Sequence, residues 1–105
     1  MKPEIYRQGD VLIRRVTSIP ANVREVPRDN GRVVLAYGEV TGHSHAIDNA
    51  AARFVENEAA LRFLELKESV QLRHEEHATI ELKSGVYEVV IQREYEPSEI
   101  RNVAD

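Results

Sequence analysis

Short β-branched runs separated by turn chemistry dominate this sequence. Val11-Leu12-Ile13-Arg14-Arg15-Val16 follows a Gly9-Asp10 step, and Pro20, Pro27 and Asn30-Gly31 precede Arg32-Val33-Val34-Leu35-Ala36-Tyr37. Further on, Val70, Leu72, Ala78, Ile80 and Leu82 alternate with polar residues, Ser84-Gly85 supplies a turn, and Val86 to Ile91 forms another β-prone run. Such runs fit half-buried strands, and the turn residues between them suit antiparallel neighbours. Asn30-Gly31 favours a tight hairpin turn.

Residues 49 to 68 carry alanines, leucines and glutamates that suit a helix, but Arg53 to Glu56 and Leu61 to Leu66 also read as hairpin arms around Asn57-Glu58. Strands on both sides favour the hairpin. Glu96-Pro97-Ser98-Glu99-Ile100-Arg101-Asn102-Val103 reads as a short C-terminal helix or turn. The expected fold is all-β, a small antiparallel barrel or a two-sheet sandwich.

With 105 residues, 42 % apolar and 30 % charged, the chain has room for one domain over 1–105 and a core of ordinary size. It contains no apolar run of bilayer-spanning length, and Met1-Lys2-Pro3-Glu4 lacks the apolar core of a signal peptide. A cytoplasmic protein that does not enter membranes is therefore expected, and homo-oligomers are compatible with the sequence. The 14 Lys and Arg against 18 Asp and Glu, a net charge of −4, disfavour nucleic-acid binding through bulk charge. Arg93 and Tyr95, on one strand face, leave room for a local RNA contact.

Cysteine is absent, so thiolate metal sites, disulfides and cysteine nucleophiles are excluded. The four histidines fall into two close pairs, His43-Ser44-His45 and His74-Glu75-Glu76-His77. Two histidines flanking one strand residue project to the same side about 6.6 Å apart at the backbone, close enough to share a metal ion. His74 and His77 meet if Glu75-Glu76 forms a turn, a bulge or an irregular bend, and also on a helical turn. A strict strand would instead place Glu76 in the apolar row of Val70 and Leu72.

The functional expectation is that His43, His45, His74 and His77 converge on a divalent transition metal such as Zn, Fe, Mn or Ni. Glu75, Glu76, Glu39 or Asp48 would add a ligand or a base. An imidazole and carboxylate set points towards catalysis with an open coordination position, hence a metal-dependent hydrolase in which Glu75 or Glu76 moves the proton of a small-molecule reaction. Solvent-exposed or hydrogen-bonded loop histidines are the bland alternative. A non-catalytic module that recognises a protein or RNA partner is the rival class. Thr41, Ser44 and Ser69 lack the context of a nucleophile elbow, and Gly38 to Gly42 lacks the remainder of a phosphate loop.

His43-Ser44-His45 resembles the metal-binding pair of the cupin fold, with His74 or His77 in the place of its later histidine. Asp48 stands three residues on, where that family carries a glutamate at four or five. A broader resemblance rests on Gln8-Gly9-Asp10-Val11-Leu12, the stretch Gly38 to Ile47, His74-Glu75-Glu76-His77, and Gln92 to Pro97. Together these look like a family of small uncharacterised bacterial proteins. That resemblance implies one compact domain, singles out both histidine motifs and brings no activity.

Overall fold

A computed structural model describes residues 4–38 and 42–92. Glu39, Thr41, Arg93, Tyr95 and the segment read as a C-terminal helix lie outside the described residues. The elements are β1 (Ile5–Gln8), β2 (Val11–Val16), β3 (Arg24–Glu25), β4 (Val33–Tyr37), β5 (Ser44–Ile47), β6 (Ala52–Glu56), β7 (Arg62–Leu66), β8 (Val70–Leu72), β9 (Ile80–Leu82) and β10 (Gly85–Ile91). All described pairings between them are antiparallel, as expected for an all-β chain. No helix among the described residues is long and apolar enough to cross a membrane.

Six strands form one sheet in the order β1-β2-β10-β7-β6-β3, and β4-β5 and β8-β9 are separate hairpins. The expectation of a barrel is corrected here. β1 and β3 end the sheet at opposite edges and are not paired with each other, so the sheet stays open. The inner face is built by period-2 alternation: Val11 and Ile13, Tyr87 and Val89, Leu64 and Leu66, and Ala52 and Phe54 are all buried. Val33, Leu35 and Ile47 of one hairpin and Val70, Leu72 and Leu82 of the other belong to the same core cluster. At a site as closed as Leu72, truncation to alanine typically costs about 2–5 kcal/mol.

The turns follow their sequence chemistry. Asp29 and Arg32 exchange both backbone hydrogen bonds across Asn30 and Gly31, whose φ angles are 54° and 80°. Positive φ at both central residues is the hairpin geometry that asparagine and glycine tolerate. Residues 49 to 68 form the hairpin β6-β7 rather than a helix. Its loop runs from Asn57 to Leu61, because the Asn57 side-chain oxygen accepts from the N–H groups of Ala59 and Leu61 and so organises the bend.

One join between the small hairpins positions the site. Ala46 and Arg73 exchange two backbone hydrogen bonds of 2.9 Å, laying the end of β8 alongside β5. His45 on β5, and His43 just before it, therefore sit beside the bend that follows β8.

Candidate metal centre

All four histidines come together. Ring centres lie 4.4 Å apart for His45 and His74, 4.6 Å for His74 and His77, 5.5 Å for His43 and His74, and 5.9 Å for His45 and His77. Between His74 and His77 the chain takes a bend rather than a tight hairpin. That bend is held from within: His74 Nδ1 accepts from the backbone N–H of Glu76 at 3.0 Å and of His77 at 3.3 Å. It also carries Glu76 outward, away from the apolar row that a continuous strand would have forced it into. The Glu76 side chain is 67 % exposed.

His45 is held by residues far away in the chain. Its Nδ1 lies 2.8 Å from Gln8 Oε1, while Gln8 Nε2 donates to the carbonyls of Leu72 and Ala78, each at 2.9 Å. Two carbonyl partners fix which end of the amide is NH2, so its oxygen faces the imidazole and His45 must carry a proton on Nδ1. In the neutral ring the lone pair is then on Nε2. That atom lies 3.7 Å from Asp10 Oδ1, in a place where His45 is only 2 % exposed.

His74 has the opposite polarity. Its Nδ1 lone pair is used by the bend, so the proton of the neutral ring is on Nε2. The cluster therefore contains one imidazole set to accept and one set to donate.

Carboxylates complete the surroundings. Glu75 Oε1 accepts from the Ser44 N–H at 2.9 Å. This hydrogen bond, then one from the N–H of Glu75 itself, holds the carboxyl below the usual carboxylate range. Ligand atoms of His43, His74 and Glu75 all lie within 4.8 Å of one another. Glu76 Oε2 is 3.8 Å from His43 Nδ1. Asp48 is elsewhere: it lines a cleft with Ser44 and Ala46, whose side chains project from the face of β5 opposite to His45.

Three residues of the β1-β2 turn were missed as site residues, although Gln8-Gly9-Asp10 is prominent in the sequence. Gln8 fixes the His45 tautomer, Asp10 faces its Nε2, and Gly9 forms the wall. At Gly9 the φ is +60°, and a Cβ there would meet His77 Nε2 at 2.7 Å and His45 Cε1 at 3.3 Å. The available signal was the Gln8-Gly9-Asp10 step placed directly before the first apolar run, Val11 to Val16.

The chain belongs to the family described as Domain of unknown function DUF8820, whose model matches residues 7–92. That span includes both histidine pairs and the Gln8-Gly9-Asp10 turn. No curated protein and no solved structure matches the chain.

Proposed function

We propose that the protein binds a divalent transition metal, Zn, Fe, Mn or Ni, through His43, His45, His74 and His77, and uses it to activate water for hydrolysis of a small molecule. The observation that carries the reading is the ring packing. A metal–nitrogen bond of about 2.0–2.1 Å places each ring centre about 3.2 Å from the ion, so two rings ligating at tetrahedral angles have centres about 5 Å apart. Four of the six ring pairs are spaced between 4.4 and 5.9 Å.

The remaining groups suit separate roles. Gln8 acts as the outer partner that sets a ligating histidine's tautomer and aims its Nε2. Glu75, held in its ionised form near His43 and His74, fits a carboxylate ligand. Glu76, exposed and beside His43, fits the group that takes a proton from water.

The test is titration of the tag-free, chelator-stripped protein with zinc, manganese, iron(II) and nickel, with bound metal counted after desalting. One equivalent is expected, lost on His45→Ala. Retention of less than about a tenth of an equivalent of every metal would sink the proposal. Hydrolytic use is tested separately with Glu76→Gln, which should retain metal and lose turnover on a panel of ester and phosphoester substrates.

A further inference from the structure

On the other face of β5 lies a cleft of about 490 Å³, within the size range of small-molecule sites. It is lined by Arg32, just before β4, and Arg73, just after β8, by Ser44 and Asp48, and by His74 and Glu75. The cleft thus shares His74 and Glu75 with the surroundings of the histidine cluster.

Neither guanidinium forms an ion pair with a described residue. Among the described residues the Arg73 guanidinium donates only to the Gln71 side-chain oxygen, at 3.2 Å, and the Arg32 guanidinium has no hydrogen bond or ion pair. Arg14, Arg15, Arg24, Arg53 and Arg62 are each ion-paired to a glutamate. Ser44 also lines the cleft; it is 5 % exposed, and its hydroxyl has no partner among the described residues. A buried hydroxyl without a partner costs free energy unless something else bonds it. Two guanidinium groups and one hydroxyl form a donor set matched to an oxyanion. Asp48 adds an acceptor that suits a hydroxyl or amine on the same molecule.

We infer that this cleft binds the oxyanion of a small substrate, a carboxylate or phosphate group held by Arg32, Arg73 and the Ser44 hydroxyl. The bound molecule extends past Glu75 to the histidine cluster. Its role as substrate rests on the proposed metal site, whereas binding of the anion does not.

The experiment therefore begins without metal. Inorganic phosphate and malonate are titrated separately into the chelator-stripped protein, and the amide resonances of Ser44 and Arg73 are followed by NMR. Saturable shifts are expected with at least one probe, and the tighter of the two identifies the phosphate or carboxylate source. Arg32→Gln and Arg73→Gln should each weaken that binding about tenfold, the loss of one charge-assisted hydrogen bond, with unchanged circular dichroism. Shifts that fail to appear below roughly 20 mM of either probe, or affinities indifferent to both substitutions, overturn the inference. Zinc titration of the same variants separates the two readings, because the arginines take no part in the cluster and zinc uptake should equal that of the wild type. If the wild-type protein takes up no zinc but binds an anion through these arginines, the metal reading fails and the anion site stands.

Discussion

Gly9 lies flat against the His77 ring: a Cβ on its backbone would sit 2.7 Å from His77 Nε2. Its φ of +60° is a conformation that costs other L-residues roughly 1–2 kcal/mol, so two independent penalties guard this position. Gly9→Ala should lower stability by about that amount and push the His77 ring out of the cluster. The expected readout is a lower urea midpoint together with about tenfold weaker zinc binding. A stability loss with unaltered zinc affinity would show that His77 is not a ligand.

Gln8→Leu removes the amide that joins three groups. The carbonyls of Leu72 and Ala78 and the N–H of His45 would each lose a partner in a closed interior. A loss of about 2–3 kcal/mol in folding stability is expected, from partial desolvation penalties shared among them. Metal affinity should fall about 10–100-fold, the usual consequence of losing the group that orients a ligating histidine. Gln8→Glu is the informative companion: it can still accept from His45 Nδ1 but cannot donate to the carbonyls, so it should retain more metal affinity than stability.

Two kinds of information were legible in the sequence. Local chemistry gave the Asn30-Gly31 turn, because only residues tolerant of positive φ fit both central positions, and the β6-β7 hairpin, because its neighbours are strands. The spacing within each histidine pair gave the ligand-like geometry. Sheet closure was not legible, since it depends on whether β1 and β3 meet, a property of global twist and not of any run of residues. Gln8 and Asp10 were missed for a related reason. Gln8 lies 37 positions before His45, and only the docking of the β1-β2 turn against β5 and the bend after β8 joins them. Ile5-Tyr6-Arg7-Gln8 itself is too short and polar to read as a strand.

Tyr87 gives the fold an alkaline limit. Its ring is fully buried, and its hydroxyl donates to the Lys83 carbonyl at 2.6 Å and accepts from Arg15 at 3.0 Å. Burial pushes the phenol up to about 12, against about 10 in an unfolded chain. Below pH 10 both states keep the proton and the stability contribution is complete. Between pH 10 and 12 the unfolded phenol ionises first, which favours unfolding and removes on the order of 2 kcal/mol. Urea midpoints measured from pH 8 to 11.5 should therefore fall more steeply above pH 10 in the wild type than in Tyr87→Phe. A smaller fall should persist in the variant, because Tyr37 is also raised by its hydrogen bond to Asp29.

The opposite polarity of His45 and His74 predicts what metal uptake does to the backbone. His45 carries its proton on Nδ1 and meets an ion through Nε2 without rearrangement. For His74 to ligate through Nε2, its proton must move to Nδ1, and that atom can then no longer accept from the N–H groups of Glu76 and His77. Zinc should consequently shift the amide resonances of Glu76 and His77 and speed their hydrogen exchange, while those paired in the β6-β7 hairpin stay unchanged. Global stability should still rise, because at a zinc concentration of 100 times Kd binding adds about 2.7 kcal/mol, or about 10–20 °C in Tm for a domain of this size. His45→Ala should abolish the Tm rise, whereas His74→Ala should reduce it only in part, since the bend bonds that His74 gives up on ligation offset some of what it contributes. Equal losses from both substitutions would mean that the His74 tautomer places no cost on metal binding.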